Sequence, residues 1–319
     1  MARWVVTGGA GYIGAHVVSS LRSANHDVTV VDDLSTGNQG RLFGDVETVI
    51  ASVLDTDQLA LLFRRIGPDG VIHVAGKKSP TESVDKPLWY HRENVGGVES
   101  VLTAMLSVGT SRLVFSSSCS VYGTPDQELV DESAPPRPES PYGQSKAAGE
   151  RLIEDAAHAY GIDYATLRYF NVVGAADAQR ADFGEYNLVP LVFRALREGR
   201  QPLVFGDDYP TPDGSCVRDY VHVVDVADAH VRCAQALMEG SVRTTLNVGT
   251  GTGSSVFEIL DVIGRCTGRD TSPRVVGRRA GDPARVVGDV SRMAAEMGWK
   301  ASRGVEEMIS SAWLAVQDR

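Results

Sequence analysis

The stretch Val6-Thr7-Gly8-Gly9-Ala10-Gly11-Tyr12-Ile13-Gly14 decides how this chain folds. Val5 and Val6 close a short apolar run that reads as a buried strand, and the glycines open a helical pattern from about Ile13 to Ala24. Gly8, Gly11 and Gly14 follow a G-x-x-G-x-x-G spacing. It lets the backbone turn, approach a pyrophosphate with no Cβ in the way, and pack against a sheet. The phosphates would then meet N–H groups at the positive end of the helix. A second apolar run, Asp27 to Val31, ends in Asp32, close to where an acid accepts hydrogen bonds from an adenosine ribose. Strand, glycine turn, helix, strand and acid in this order predict a bound dinucleotide. Asp32, with Asp33 beside it, repels the 2′-phosphate of NADP, so NAD is the expected cofactor.

The rest of the chain bounds this reading. Its 319 residues suit one large α/β unit, or a nucleotide-binding unit with a smaller lobe. The 43% apolar and 23% charged content is that of an ordinary soluble globular protein. A formal net charge of −10 argues against nucleic acid as the main partner and requires a local basic pocket for any anionic ligand. No apolar run is long enough to cross a bilayer, and the first residues enter a strand without a leader segment, which predicts a cytosolic protein with no membrane partner. Cys119, Cys216, Cys233 and Cys266 are too far apart for a C-x-x-C pair, so neither a metal site nor a disulfide framework is expected.

Leu34 to Asn38 is turn chemistry that would rim the adenosine end of the site. Further strands are predicted at Val46–Ile50, Gly70–Val74 and Arg112–Phe115, with helices through Leu59–Ile66 and Leu88–Val108. His73, at a strand end, reads as a packed residue. Ala75-Gly76-Lys77-Lys78 follows that strand, where an open parallel sheet places ligand-binding loops, and Asn94 sits in mid-helix, where a polar group needs a partner. Ser116-Ser117-Ser118 comes after the next strand, with hydroxyls placed to bond a ligand oxygen. Ser140 can cap a helix that has Pro141 in its first turn, which puts Tyr142 and Lys146 on one face. A free tyrosine has a pKa near ~10, and a lysine one turn on supplies a cation that favours the phenolate a proton acceptor needs. The predicted later strands are Val221–Val224 and Thr245–Val248. Gly249 to Gly253 lacks the Lys-Ser/Thr of a phosphate loop and reads as a structural turn, and Glu306 to Val316 as a closing helix.

The glycine turn and Tyr142-Gly-Gln-Ser-Lys146 resemble the extended branch of the short-chain dehydrogenase/reductase superfamily. Within it, Ser116-Ser-Ser-Cys-Ser-Val-Tyr-Gly123, Leu167-Arg-Tyr-Phe-Asn171, Phe205 to Gly214 and Val217-Arg-Asp-Tyr-Val-His222 resemble the UDP-glucose (UDP-galactose) 4-epimerase family over essentially the whole chain. The resemblance implies a doubly wound parallel sheet, a Rossmann fold over residues 1–170 with later segments at about 217–250 returning to it. It also implies a smaller mixed α/β lobe over 171–319 and a substrate cleft. The implied reaction is NAD-dependent inversion at carbon 4 of a UDP-hexose through a 4-keto intermediate, with Tyr142, Lys146 and Ser118 as catalytic residues. Implied cofactor contacts are Gly8, Gly11, Tyr12, Ile13, Asp32, Asp33, Ser52, Val53, Val74, Ala75, Gly76, Lys78, Asn94, Ser116, Tyr142, Lys146 and Tyr169. Implied substrate contacts are Lys78, Ser118 and Tyr142, with Asn171, Asn187 and Leu188 at the sugar diphosphate. Leu203, Val204 and Phe205 would form the uracil edge, Arg218 and Arg279 a pyrophosphate clamp, and Asp282 a ribose contact. A homodimer through the helices around Leu88–Val108 and Ser145–Tyr160 is also implied.

Departures from that family bear on specificity. Related dehydratases carry an Asp-Glu pair where this chain has Cys119 and Ser120, so water elimination lacks its acid and base. Ser52 stands where Asp is frequent, Tyr186-Asn187 where one form has Asn-Asn, and Val286 where that form has a bulky Tyr beside the hexose. Less volume there resembles members that admit N-acetylated sugars. Epimerases of UDP-N-acetylglucosamine, UDP-glucuronate or UDP-xylose therefore stay open, as does a non-catalytic NAD-binding sensor.

Overall fold

A computed structural model describes residues 1–184, 187–279 and 281–317, so Tyr186 lies outside the described residues. In chain order the first elements are β1 (Arg3–Thr7), α1 (Tyr12–Ser23), β2 (Asp27–Asp32), β3 (Glu47–Ile50), α2 (Thr56–Ile66), β4 (Gly70–His73), α3 (Pro80–Asp85), α4 (Pro87–Ser107), β5 (Arg112–Ser118), α5 (Pro141–Tyr160) and β6 (Asp163–Tyr169). There follow β7 (Asn171–Val173), α6 (Leu188–Arg197), β8 (Leu203–Phe205), β9 (Val217–His222), α7 (Val223–Glu239), β10 (Arg243–Val248), β11 (Gly253–Ser255), α8 (Val256–Thr267), β12 (Arg274–Val276), β13 (Arg285–Val286), α9 (Ser291–Met297) and α10 (Val305–Gln317).

The chain divides into two units. The first takes Met1–Val121, Ser140–Arg168 and Ala227–Leu246; the second takes Tyr122–Glu139, Tyr169–Val226 and the chain from Asn247. The first unit is built on a seven-stranded sheet of order β10-β6-β5-β4-β1-β2-β3. β1 lies between β2 and β4, with Val5 paired in parallel to Thr29 on one side and Val71 on the other. The order reverses after β1, which makes its carboxyl end the switch point of a doubly wound α/β sheet. Trp4, Val5 and Val6 are fully buried, as expected of a strand covered on both faces. On one face Leu59 and Phe63 of α2, Val98, Val101 and Met105 of α4 and Ile153 of α5 pack onto Val5, Val31, Val71, Leu113 and Phe115. Each such side chain withdrawn from water contributes about 1.5–3 kcal/mol.

Local sequence sets the helix ends. Asp55 caps α2 by accepting the Gln58 N–H at 3.0 Å, and Gly67, in the left-handed region at φ 58°, stops it. Ser140 caps α5 by accepting the Gly143 N–H at 3.1 Å ahead of Pro141, and Gly161 ends that helix the same way.

In the second unit β9 is central: β11 pairs with it antiparallel, β13 and β7 in parallel. β8 and β12 form a separate parallel pair. Val189, Val192 and Phe193 of α6, Ile259, Leu260 and Ile263 of α8, and Met308, Ile309 and Trp313 of α10 make its core. β9 starts at Val217, four residues before the strand expected at Val221, and Val223 already opens α7. Partners on both sides hold the charged Arg218-Asp219 in the strand against its local polarity. Asp219 is fully buried and accepts the Thr250 N–H at 2.8 Å and the Gly251 N–H at 3.0 Å. The second glycine-rich turn is therefore wrapped on a carboxylate, which suits a structural element and opposes a phosphate.

Candidate active site

The glycine turn owes its shape to packing as much as to ligand approach. Gly8 has φ 70°, and a Cβ on it would lie 2.6 Å from the Ala75 nitrogen, so the turn is pressed against the loop that follows β4. A Cβ on Gly14 would lie 2.1 Å from the Gly8 oxygen. Gly11 is the residue with room, its nearest neighbour being the Gly8 oxygen at 3.1 Å. The expected obstruction of a phosphate by a side chain at position 8 thus becomes an obstruction of Ala75. Gly11 is also the N-cap of α1, provides no side-chain cap, and is followed by a first turn without an acidic residue. Asp32 accepts the Ala10 N–H and the Leu34 N–H, each at 2.9 Å, which fixes its carboxylate beside the turn. Burial raises its pKa, against the pull of those two bonds. An uncapped helix start, a side-chain-free approach and an oriented carboxylate fit a dinucleotide such as NAD.

The other predicted cofactor contacts are spread over the elements of the first unit, with Tyr169 assigned to the second. Val74 and Ala75 each donate a backbone N–H to the Thr7 oxygen at 3.1 Å. Tyr12 and Ile13 open α1. Ser52 and Val53 follow β3, with the Ser52 hydroxyl turned to the Leu54 N–H at 3.2 Å, and Tyr169 ends β6. A Cβ on Gly76 would meet Asn94 Oδ1 at 3.0 Å and Lys146 Nζ at 3.6 Å, so these three residues converge. Asn94 has the partners its mid-helix position demands: its Oδ1 accepts the Lys77 N–H at 2.8 Å, and its Nδ2 donates to the Lys77 oxygen at 3.1 Å and to Ser145 Oγ at 2.8 Å. Lys78 is exposed and makes no hydrogen bond or ion pair among the described residues. Lys77, its neighbour in the same loop, is the one held in place.

Tyr142 and Lys146 stand one turn apart on the buried face of α5. The Tyr142 backbone N–H is taken by Ser83 Oγ at 3.0 Å, and its carbonyl by the Ser145 hydroxyl at 2.7 Å. Its ring meets Tyr90 edge-on, with centroids 6.4 Å apart. Ser118, the last residue of β5, is near enough to the Tyr142 hydroxyl to pull its pKa down, and it accepts the Ser120 N–H at 3.1 Å. β5 runs through Ser118, three residues beyond the expected end at Phe115, so the serines are held by the sheet. Burial pushes the Tyr142 hydroxyl up to about 12, against the opposing pull of Ser118. The Lys146 Nζ donates to the Ser116 carbonyl at 2.8 Å and lies 5.0 Å from the Phe115 ring centroid. Burial lowers Lys146 to about 8, against the charge of Glu150. By itself, then, the chain keeps Tyr142 protonated at neutral pH.

Glu150, one turn beyond Lys146, is a member of the site that sequence reasoning missed. It accepts from Ser117 and forms a buried two-pronged pair with Arg168, Nη2 to Oε2 at 2.6 Å and Nε to Oε1 at 3.0 Å. The stripe Tyr142, Lys146, Glu150 at helical spacing was the available signal. His73 is buried, its Nδ1 2.7 Å from the Thr7 hydroxyl, and burial drops its pKa to about 3, so it is a neutral packed residue.

The predicted nucleotide contacts belong to the second unit. Arg218 forms an ion pair with Asp282 through a guanidinium nitrogen, and Arg279 lies 3.7 Å from the Phe205 ring centroid. Leu203 and Val204 share β8 with Phe205, and Asn171 starts β7. Asn187 precedes Leu188 at the start of α6 and donates to Asp182 at 3.1 Å. Val286, buried, pairs with Arg218 across β13 and β9. Arg278, stacked 4.2 Å from the Tyr209 centroid, is a third cation beside these residues.

Residues 4–249 match the profile of the NAD dependent epimerase/dehydratase family. The UDP-glucose 4-epimerase of Streptomyces lividans is 40% identical over 98% of this chain and 95% of its own. Among solved structures, a UDP-glucose 4-epimerase from Brucella ovis in complex with NAD superposes with a TM-score of 0.93 at 38% identity, covering 98% of both chains. The UDP-Glc/GlcNAc 4-epimerase of Campylobacter jejuni does so with a TM-score of 0.88 at 30% identity, covering 100% of both. The chain belongs to the NAD dependent epimerase/dehydratase family.

Proposed function

We propose that this protein is an NAD-dependent 4-epimerase of a UDP-hexose that interconverts UDP-glucose and UDP-galactose. The observation that carries the reading is the Tyr142 side chain, buried, beside Ser118 and one turn from Lys146, on the same unit as a glycine turn and Asp32 shaped for a dinucleotide. Relatives named UDP-glucose 4-epimerase align over nearly the whole chain, which supports the same substrate class.

NAD, held by the turn at Gly8–Gly14 and by Asp32, supplies a reversible hydride acceptor and, when oxidised, a positive ring. With that charge favouring its phenolate, Tyr142 takes the proton from the 4-hydroxyl and gives it back when the carbonyl is reduced from its other face. It therefore ends each turnover in its starting protonation state, and no net oxidation occurs. Ser118 bonds the same oxygen and relays the proton. Lys146 fixes the Ser116 carbonyl and brings positive charge to the site. In the second unit Arg218 and Arg279 bind the diphosphate, where a planar guanidinium suits two-pronged contacts, and Asp282 binds the ribose. Cys119 and Ser120 supply neither the acid nor the base that water elimination requires.

Val286 favours a second substrate class, N-acetylated UDP-hexoses, because it is smaller than the tyrosine that one resembling form carries beside the hexose. Turnover of a panel of UDP-glucose, UDP-galactose, UDP-N-acetylglucosamine, UDP-glucuronate and UDP-xylose by purified protein tests both readings. No turnover of UDP-galactose rejects the first, and no turnover of the acetylated sugar rejects the second. A cytosolic homodimer through α4 and α5 completes the proposal, supported by exposed Leu88, Leu106 and Tyr160 on those helices. Light scattering that returned a monomer would reject the dimer.

A further inference from the structure

Lys77 joins two loops that leave the sheet on opposite sides of β1. Its backbone belongs to the loop after β4, yet its Nζ donates to Ser35 Oγ at 3.0 Å, in the loop after β2. Because the strand order is β4-β1-β2, the side chain crosses the carboxyl end of β1, the strand that feeds the glycine turn. That loop also lies against the turn itself, since Ala75 is what a Cβ on Gly8 would strike. The anchor is firm: Asn94 grips both the N–H and the carbonyl of Lys77, and Ser145 of the catalytic helix grips Asn94.

The charges at this end of the turn make the position consequential. Asp32 and Asp33 are both negative, and a dinucleotide diphosphate adds two more negative charges. Against the upward push of burial, bonds from Ser35 and the Lys77 charge hold the Asp33 carboxyl below its usual range, and Arg41 acts on Asp32. Lys77 is thus a cation positioned over the crossing point, with its ammonium also 5.0 Å from the ring centroid of Trp89. The bond to Ser35 is exposed and singly made, weak enough to open.

We propose that Lys77 is a cationic strap across the dinucleotide cradle: it exchanges Ser35 for the diphosphate when NAD binds, and it sets how slowly NAD leaves. The proposal rests on the NAD-binding reading above. Opening and closing of the strap is an exchange of hydrogen bonds, with no covalent step. Lys77→Met removes the cation while keeping the aliphatic stem beside Trp89, and Ser35→Ala removes the resting partner alone.

The test measures release of NAD from the purified holoprotein after dilution into an NAD scavenger, followed by Trp fluorescence and by assay of the freed nucleotide. A charge-assisted contact with a partly exposed phosphate predicts release about tenfold faster in Lys77→Met. Raising salt from about 0.05 M to about 0.5 M should speed release from the wild type and leave Lys77→Met nearly flat. Lys77→Arg should restore slow release, because it returns the charge. Ser35→Ala should release NAD no faster than the wild type, since its hydroxyl competes with the phosphate for the strap. A Lys77→Met holoprotein that releases NAD within about twofold of the wild-type rate, or with the same salt dependence, overturns the proposal. A wild type that holds no NAD overturns the cofactor reading instead.

Discussion

Replacing Lys146 with Met should stabilise the NAD-free protein at neutral pH while abolishing its turnover. The Lys146 side chain is 6% exposed, and burial depresses its pKa from 10.5 to about 8 despite the favourable charge of Glu150. At about 1.36 kcal/mol per pH unit, that depression costs the folded state about 3 kcal/mol wherever the lysine is charged in both states. The sign follows from proton binding. Between the folded value near 8 and the unfolded value of 10.5, the unfolded chain holds a proton that the folded one has lost. Stability therefore rises with pH through that window, and below it the cost is borne in full. Methionine removes the charge but also the 2.8 Å bond to the Ser116 carbonyl, worth about 1–2 kcal/mol. The variant should therefore gain about 1–2 kcal/mol at pH 7, or roughly 2 °C in Tm for a chain of this length. Near pH 10 the order should reverse, because the wild type is relieved of the cost and keeps its bond. Circular-dichroism melts of both proteins from about pH 7 to about pH 10 read this directly. Parallel pH profiles for the two proteins would refute the reasoning.

Tyr142→Phe should lose turnover by about 10²–10⁴-fold, the usual size of a proton-transfer contribution, while the purified protein keeps its NAD; steady-state rates within about tenfold of wild type would move the proton acceptor elsewhere. Gly8→Val should fail to retain NAD because its side chain drives Ala75 and the loop behind it away, and equilibrium dialysis showing normal binding would count against that packing. Glu150→Gln should destabilise the fold by about 3–5 kcal/mol by leaving Arg168 charged and under-paired in the interior, with denaturant melts as the measure.

The parts of this protein that were legible in its sequence are those fixed by local rules. The glycine turn, the acid at the end of β2, the Ser140-Pro141 start of α5 and the face shared by Tyr142 and Lys146 all follow from spacing, capping and helical period. What the sequence hid depends on tertiary neighbours. β9 carries Arg218 and Asp219 through a strand that only its lateral partners justify. β5 extends through three serines because their backbone is held in the sheet. Helical spacing puts Lys146 one turn from Tyr142 but says nothing of the Ser116 carbonyl that engages its ammonium. Lys77 and Lys78 are adjacent and chemically alike, and tertiary contacts tell them apart: the grip of Asn94 on the Lys77 backbone and the reach of its ammonium to Ser35 and Trp89.

The route of the chain through the first unit has a consequence for its birth on the ribosome. That unit is closed by Ala227–Leu246, which brings in β10 as the outermost strand beside β6. A nascent polypeptide released only as far as Arg168 therefore has a sheet whose rim at β6 is bare, a ready template for pairing with another chain. Maturation must wait until Leu246 has been made, and over that interval chaperones or slow elongation would protect the unfinished edge.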